Sequence, residues 1–584
     1  MREEKKNTSQ PNEGKMSDEE KLFLYVRKVI ESKIDELNDR FTRCFACVNK
    51  ERGIAEFLYD YLGVQCRPVF EGVPPYKAYD NTARDMLKKM RASFIENVCP
   101  RDSKTFALFA TEDCIDKIAG EYYTVSKTEV RAHINDFMLS LAELCQDAIN
   151  TSNFHDQVAY ALDCFFITDF NLIIQPNLHR YQYPSDIAYE TVLPFSIAKE
   201  FNTKQELVAY YRTVKIKAKF IPETYPDFNL ELLKSKKPDD EIELREYCVL
   251  ERLPDPIRYK WVWFLTFEIN KIACHRLLDT PPLITFADTI PIGGSIGHGV
   301  FYNLYSDIIA TEDLSRNRDE ILKKFNEPVI EKLYESVVTK TGEEGKLRPG
   351  DILTVREKGA LNPVYLAQKP EALDVVAEKR REAIRAGFIP ASEQYVHDAN
   401  DTATNASLSM SRQVAFLSSV YGKVIDGFVG SHVHKILVLL AIKGEVHRIV
   451  RRFFNENRDR LPAEFLKYAS EPEVFIRLLE AFSDGIVNLV LDPNNLNIKT
   501  TSKIGMATRT EKVNEMVQVI QLMANVTGQP VNIIISPERF ITKVSEIMGL
   551  DHSILLTEKE RQTVMEQMQA QAQAQMQLQA QSAS

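Results

Sequence analysis

Apolar residues recur at helical spacing along much of the chain and predict its helices. The first helix begins near Glu20, carries Val26 and Ile30 on one apolar face and ends near Cys44-Phe-Ala-Cys47. Another predicted helix starts with Asp80 or Asn81 as its N-cap, and a long one begins near Thr128. The remaining predicted helices span Val300–Phe325, Glu371–Ala386, Met410–Phe428, Val474–Val490, Thr508–Ala524 and Phe540–Met548.

Runs rich in β-branched and aromatic residues predict strands, most of them between residues 165 and 290. These runs are Cys164–Ile174, Ala188–Phe195, Tyr210–Phe220 and Trp261–Phe267, with shorter extended segments at Phe106–Phe109 and Ile352–Arg356. The charged stretch Lys234–Glu241 is typical of a solvated loop. Together, the two patterns predict a mixed α+β fold that is rich in helix.

A glycine-rich stretch, Pro282–Gly299, lies between the strand-rich region and the helix that starts at Val300. Glycine tolerates backbone conformations that other residues avoid, so the stretch predicts a sharp turn from strand to helix. Within it, Gly293-Gly-Ser-Ile-Gly297 matches the elbow that exposes the nucleophilic serine of α/β hydrolases. A catalytic Ser295 is therefore one alternative, although the alternating strands and helices of that fold are not evident nearby. The phosphate-loop lysine and the dinucleotide glycine spacing are both missing.

The composition is that of a globular chain with reduced thiols. Apolar residues make up 44% of the 584 positions, which is enough for several domains. With a net charge of −10, the chain as a whole is not a basic protein of the kind that clamps nucleic acid. Nine cysteines, an odd number, and a polar start at Met1–Lys21 indicate an intracellular protein. The longest apolar run, Ile436–Ile442, is too short for a bilayer, so we expect no membrane association.

Neither the cysteines nor the histidines predict a metal site. Cys44 and Cys47 have the spacing of a redox motif or of half a zinc site, but no second pair follows at usable spacing. His432, His434 and His447 lack carboxylate or cysteine partners at ligand spacing. We expect no metal, no cofactor and no enzymatic activity, with a thiol protein using Cys44 and Cys47 as a second enzymatic alternative.

Short motifs in a fixed order along the chain resemble those of one protein family. They are Tyr79-Asp-Asn-Thr-Ala-Arg-Asp85, Ser152-Asn-Phe154, the glycine-rich turn followed by Tyr302–Ile309, Pro349-Gly350, Thr402-Ala-Thr404, and a closing Gly549-Leu-Asp with a Gln-rich tail. The ordered set resembles the head-to-tail connecting (portal) proteins of short-tailed, podovirus-type bacteriophages. One position departs, because Asn405-Ala-Ser407 stands where the family has a glutamate, and this puts the local helix capping in question.

The resemblance implies the portal fold, in which wing, stem, clip and crown regions assemble around a central channel. Its parts would be a disordered arm at 1–18, a wing at 19–297, stem helices at 298–386 flanking a clip at about 329–370, a tunnel loop at 387–404, a long helix and the rest of the wing at 405–504, crown helices at 505–555 and a Gln/Ala/Met-rich tail at 556–584.

The resemblance also implies a function. The chain would form a dodecameric ring at one capsid vertex, through which double-stranded DNA is packaged and later ejected. Its expected partners are other copies of itself, DNA in transit, the major capsid protein, a scaffolding protein, the terminase and then a tail adaptor. The expected location is the virion, and the host cytoplasm during assembly. A different virion structural or scaffolding protein, without a DNA-sized channel, is the alternative in the same class.

Six residues are candidates for contact with DNA in the channel: Arg380, Arg381 and Arg385 in the returning helix, and Gln394, Tyr395 and His397 in the tunnel loop. The acidic net charge would repel DNA on average and let it slide, whereas firm phosphate binding would hold it in place. Alternatively, the arginines pair with Glu378 and Glu382 of their own helix or with a neighbouring subunit.

Overall fold

The computed structural model has a mixed α+β fold, as the sequence predicts, and most of its described strand pairs are antiparallel. Nearly all of the predicted arm, tunnel loop, crown and tail lies outside the described residues. No described helix is long and apolar enough to cross a lipid bilayer. The described residues are 18–64, 76–101, 105–122, 127–177, 183–252, 259–268, 270–291, 294–326, 330–333, 352–355, 370–388, 428–456 and 491–500, with a few helical positions between 485 and 544.

The helices and strands are numbered here in chain order. The helices are α1 Asp18–Leu62, α2 Thr82–Val98, α3 Glu112–Tyr122, α4 Lys127–Asn150, α5 Phe154–Ile167, α6 Ile221–Thr224, α7 Val300–Asn303, α8 Tyr305–Asn326, α9 Pro370–Phe388, α10 Gly430–Ile442 and α11 Glu445–Glu456. The strands are β1 Phe106–Ala110, β2 Asp169–Pro176, β3 Ile187–Thr191, β4 Ile197–Phe201, β5 Leu207–Lys217, β6 Glu241–Arg252, β7 Tyr259–Phe267, β8 Lys271–Leu278, β9 Leu283–Ala287, β10 Ile330–Leu333, β11 Ile352–Val355 and β12 Leu496–Thr500.

The chain divides into two compact units, each assembled from separate segments. The described residues of unit 1 fall within 1–94, 154–179 and 188–409, and those of unit 2 within 95–153, 180–187 and 410–584. Unit 1 contains a five-stranded sheet in the order β4-β5-β6-β7-β8 and most of a three-stranded sheet in the order β3-β2-β9. The predicted strand-rich region is therefore confirmed.

The five-stranded sheet has a hydrophobic cluster on each face, because successive side chains of a strand point to opposite sides. On one face, Tyr210 packs with Trp263. On the other face, Tyr211, Tyr247 and Phe264 pack against α1, whose contribution is Val26, Ile30, Leu37 and Phe41. The apolar face predicted for the first helix thus covers this side of the sheet.

Helix α1 is longer than the sequence predicts. It continues through Cys44–Cys47 to Leu62, so the predicted end is wrong. The helix ends where Gly63 adopts a positive φ of 75°, and the N–H of Val64 donates to the carbonyl of Tyr59 at 3.0 Å. Glycine favours this left-handed conformation, which closes the last turn of a helix.

A second correction concerns the apolar run Cys164–Ile174. Its first residues belong to α5, which ends at Ile167, and only Asp169 onward forms a strand. A short, uniformly buried helix has no polar face, so its sequence cannot be distinguished from a buried strand by periodicity. By contrast, the charged run from Lys234 to Asp240 is exposed and irregular, and the predicted loop there is confirmed.

In unit 2, β1 pairs antiparallel with β12, and Leu108 lies opposite Ile498. Helix α4 packs against β1 and also contacts α10 and α11. The side chain of Gln146 on α4 accepts hydrogen bonds from the N–H and the hydroxyl of Thr105, at 3.1 and 2.8 Å, just before β1. The predicted extended segment at Phe106 and the predicted long helix near Thr128 are both confirmed.

Candidate functional site: the glycine-rich turn and its helical hairpin

The glycine-rich turn is tightly packed at its end. Gly299 precedes α7, and its N–H donates to the carbonyl of Ile167 at 3.1 Å. A Cβ at Gly299 would lie 2.5 Å from the carbonyl oxygens of Phe165 and Phe166, which is closer than a carbon atom can approach. Here glycine is required by the close approach of the end of α5. The predicted turn from strand to helix is confirmed.

Ser295, the candidate nucleophile of the glycine-rich turn, is a buried residue. Its side chain is buried, with 5% exposed, whereas the elbow serine of an α/β hydrolase projects its hydroxyl into an open site. The next residue, Ile296, packs with Val48 and Ala198. The imidazole of His298 stacks on Tyr302 with ring centroids 3.9 Å apart.

Cys44 lies on α1 with its thiol against a carboxylate. Its Sγ donates to Oε1 of Glu200 at 3.4 Å. Burial, together with the negative charge of Glu200, raises the pKa of the Cys44 thiol to about 12. A thiol that stays protonated at neutral pH is a poor nucleophile, because the thiolate is the reactive form. Cys44 and Cys47 are both free cysteines, half-buried on the same helix.

The turn leads into an antiparallel pair of helices. The predicted helix from Val300 is confirmed, with one break at Leu304 between α7 and α8. Helix α9 returns beside α8, so that Arg318 pairs with Asp374 at 2.7 Å. At the other end, a Cβ on Gly387 would lie 2.9 Å from Cδ1 of Leu304. We call α8 and α9 the hairpin.

Between the two helices of the hairpin in sequence, β10 and β11 form a parallel pair. Ile330 lies opposite Ile352, which confirms the strand predicted from Ile352. The described part of 298–388 therefore has the order helix, two paired strands, helix. This is the order that the sequence predicts for the region.

Two buried carboxylates tie the hairpin to the segment that starts α2. Glu312 on α8 is 4% exposed and accepts hydrogen bonds from the backbone N–H groups of Tyr79 and Asp80, both at 2.9 Å. Asp80 is 5% exposed, and its Oδ1 accepts from the N–H of Thr82 at 2.9 Å. Asp80 thus accepts from the first N–H of α2, while Asn81, the other predicted N-cap, directly precedes the helix.

The second carboxylate oxygen of Asp80 binds the returning helix. Nε of Arg381 donates to Oδ2 of Asp80 at 2.7 Å, and the Ser315 hydroxyl lies 3.4 Å from the same oxygen. Burial opposes ionisation of Asp80, but the hydrogen bonds from Arg381 and Thr82 outweigh it and hold the pKa of Asp80 below its ordinary value. In sequence, residues 311–313 of α8 look like a polar break in an apolar stripe. In the structure, Thr311, Glu312 and Ser315 lie on the buried side of α8.

All three candidate arginines of α9 form ion pairs within the chain. Arg380 pairs with Asp307 at 2.9 Å, and Arg381 pairs with Asp80. Arg385 pairs with Glu378 at 2.8 Å, and Arg381 also contacts Glu378 at 3.1 Å. Pairing with Glu378 is one of the alternatives that the sequence left open. Arg380 and Arg385 remain 41% exposed and Arg381 only 21%, so Arg381 has mainly a structural role.

The tunnel-loop candidates lie outside the described residues. These candidates are Gln394, Tyr395 and His397. Most of the long helix predicted from Met410 also lies outside them, and the described part begins at Phe428. Contact of DNA with these residues, and with the arginines of α9, stays a prediction.

Two of the three histidines considered as metal ligands have packing roles. His432 is buried and stacks on Phe428 with centroids 4.8 Å apart, and burial lowers its pKa to about 3. His434 donates from Nε2 to the carbonyl of Leu491 at 2.7 Å. Within the part of the chain that the structure describes, no group of three or more His, Cys, Asp or Glu side chains could hold a metal ion.

The described candidate residues of this region lie in packing contacts, hydrogen bonds and ion pairs. The arginines of α9 are paired with carboxylates, the Ser295 hydroxyl is buried and the Cys44 thiol is protonated. No model of a known protein family matches the sequence, and no match was found among curated proteins.

Proposed function

We propose that the chain is the subunit of a portal ring, the head-to-tail connector of a short-tailed phage. The observation that carries the proposal is the hairpin. Helix α8 follows the glycine-rich turn of the β-rich unit 1, β10 and β11 pair, and α9 returns beside α8 to the level of Leu304. This order is similar to the stem, clip and stem of the portal family. In this proposal unit 1 contains much of the wing.

The surface of the hairpin supports assembly with further copies. Val375 and Val376 on α9 are 59% and 47% exposed, and Leu322 on α8 is 37% exposed. The sequence places Val376 on the apolar side of α9, but Ala377 and Ile384 are the buried residues. A contiguous exposed apolar patch is typical of a surface that another protein covers, and Val375 and Val376 are adjacent on α9. We assign this surface to the stem of the neighbouring subunit.

The charge distribution suits a channel through which DNA slides. The net charge is −10, and the arginines of α9 are partly neutralised by their own carboxylates. Strong phosphate binding releases counterions and would hold the DNA in place. Half-exposed Arg380 and Arg385 would instead give brief contacts. The terminase would dock on the ring during packaging and a tail adaptor afterwards, with the capsid and scaffolding proteins around it.

Electron microscopy of the purified protein tests the proposal directly. We expect a dodecameric ring with an axial hole wide enough for duplex DNA. Asp in place of Val375 and Val376 should prevent ring formation while leaving a folded subunit, because a charge cannot be buried without a partner. The matched control is Leu230→Asp, at a residue that is 53% exposed and lies outside the hairpin. A compact particle without a hole would contradict the proposal.

A second experiment tests the tunnel loop. Shortening residues 390–401 should leave ring assembly intact but reduce the amount of DNA packaged or retained in the capsid. The control is an equal shortening in the exposed loop that contains 234–240. Normal DNA content in the first variant would remove the loop from the mechanism without affecting the ring.

A further inference from the structure

A cluster of buried polar side chains lies between the two sheets of unit 1. Lys199 is on β4 of the five-stranded sheet and is 3% exposed. Asp169 and Asn171 are two residues apart on β2 of the three-stranded sheet, 1% and 0% exposed. Residues two apart on a strand share a face. Thr285 lies opposite Asn171 on β9.

The amine of Lys199 contacts every other member of the cluster. Nζ lies against Oδ2 of Asp169 and donates to Oδ1 of Asn171 at 3.1 Å and to Oγ1 of Thr285 at 3.3 Å. The Thr285 hydroxyl also donates to Oδ1 of Asn171, at 2.8 Å. The carboxamide oxygen of Asn171 therefore receives two hydrogen bonds, and these polarise its carbonyl group.

The nitrogen of the same carboxamide has no partner. Nδ2 of Asn171 is buried and forms no hydrogen bond with the described residues. An unsatisfied buried donor is unusual in a folded protein and needs a reason. Two hydrogen bonds hold the oxygen of the Asn171 carboxamide in place. None of the described residues binds its nitrogen, so no hydrogen bond opposes the departure of that nitrogen.

The surroundings keep water away from the cluster. Lys199 lies opposite Tyr210, which belongs to the hydrophobic cluster between the sheets. On the other side, the glycine-rich turn closes over β2, and a Cβ at Gly297 would lie 3.1 Å from Cβ of Asp169 and 3.2 Å from the carbonyl oxygen of Thr168. Glycine at this position lets the turn cover the carboxylate.

Burial also favours the uncharged amine. It lowers the pKa of Lys199 to about 7, because an ammonium group loses its hydration in an apolar interior. An ionised Asp169 opposes this effect. Transfer of one proton from Lys199 to Asp169 leaves both groups neutral, which a low-dielectric site favours. A neutral lysine amine is a nucleophile, whereas the ammonium form is not.

We propose that Lys199 and Asn171 join in an intramolecular isopeptide bond, with Asp169 as the proton carrier. The lone pair of Nζ attacks Cγ of Asn171, and a new C–N bond forms. Asp169, protonated by Lys199, gives its proton to the departing amide nitrogen and takes up the proton that the attacking amine loses, so that it ends the step as it began. The old C–N bond then breaks and ammonia leaves. The step is amine plus carboxamide giving a secondary amide plus ammonia, and it needs no oxidant or other reactant.

The product would connect the two sheets covalently. Because Lys199 and Asn171 lie on strands of different sheets, the bond would prevent their separation even when the surrounding packing is lost. The inference does not depend on the proposed function, because it concerns only the interior of unit 1. Its failure would leave the portal proposal unchanged.

Intact mass spectrometry of the denatured full-length protein is the first test. We expect a mass about 17 Da below that of the sequence. The difference is the mass of the ammonia that leaves Asn171 when Lys199 attacks its carboxamide. The variant Lys199→Arg should show the full mass of its sequence. The matched control Lys443→Arg should keep the loss, since Lys443 forms an ordinary ion pair with Asp186 at 2.9 Å. A wild-type mass equal to that of the sequence overturns the proposal.

Tryptic mapping locates the bond. Acylated Lys199 should resist cleavage and appear in a branched peptide with Asn171, while exposed Lys204 is cleaved normally. A loss of about 18 Da with a branch at Asp169 would mean that Lys199 had condensed with the carboxylate instead, which overturns the assignment to Asn171. Asp169→Asn should abolish the branch, and persistence of the branch would overturn the proton-carrier role. If this variant does not fold, the wild-type mass and peptide map still decide the proposal.

Discussion

The ion pair between Asp80 and Arg381 gives a quantitative prediction for the hairpin. Replacing Arg381 by Met keeps an unbranched side chain but removes the donor that lies 2.7 Å from Oδ2 of Asp80. Removing one partner of a fully buried pair costs about 3–5 kcal/mol. Arg381 is 21% exposed, and Asp80 keeps its hydrogen bond from Thr82. We therefore expect a loss of about 2 kcal/mol.

The loss should depend on pH with a definite sign. Asp80 has a lowered pKa in the folded protein, so its ion pair contributes stability above the ordinary carboxyl pKa of about 4 and loses that contribution as pH falls through the folded value. The stability difference between the wild type and Arg381→Met should be constant near neutral pH. It should shrink in acid, where Asp80 becomes protonated in both proteins.

Urea denaturation followed by tryptophan fluorescence measures this difference. The chain has two tryptophans, Trp261 and Trp263, and both lie on β7 in unit 1. The control is Arg318→Met, because Arg318 and its partner Asp374 are both 42% exposed and such a pair contributes less than about 1 kcal/mol. If Arg381→Met is no more destabilising than the control, or its effect does not change in acid, the reasoning is refuted.

Three further predictions concern other parts of the structure. Gly299→Ala should destabilise unit 1 by about 1–3 kcal/mol, because its Cβ would overlap the carbonyl of Phe166. Gly53→Ala, in open space on α1, should be neutral or stabilising by up to about 1 kcal/mol. Thermal unfolding of the two variants and the wild type measures both effects. Cys44 should react slowly with a thiol reagent at pH 8, because its pKa is raised to about 12, and rapid modification of the folded protein would contradict this. Buried His432 has a lowered pKa, so stability should fall as pH drops from about 6.5 toward about 3, and His432→Leu should weaken that dependence in a pH series of melting temperatures.

Local patterns predicted only part of the described helices and strands, missing for example the long strand β6, and the errors have physical causes. The start of α1 was predictable from its apolar face, but its end was placed too early: the stop signal is Gly63, and no proline interrupts residues 44–62. The strand-rich region was predictable from aromatic and β-branched runs. The last residues of α5, Cys164–Ile167, were mistaken for strand because every face of that segment is buried.

The candidate site was less predictable. The glycine-rich turn and the two helices of the hairpin followed from sequence. The buried carboxylate of Glu312 did not, because in sequence it looks like any exposed acid on a helix. Its partners, the N–H groups of Tyr79 and Asp80, are more than 200 positions away. The cluster around Lys199 was missed for the same reason, since its members come from three different strands.

The pairing of β1 with β12 has a consequence for folding during protein synthesis. Residues 111–495 separate the two strands. Ribosomes add roughly 5–20 residues per second, so β1 leaves the ribosome on the order of tens of seconds before its partner strand exists. During that interval an apolar strand, Phe106–Ala110, has no β12 to pair with, and an exposed strand edge promotes aggregation. We expect the nascent chain to require a chaperone over this period, and unit 2 to finish folding only near the end of translation.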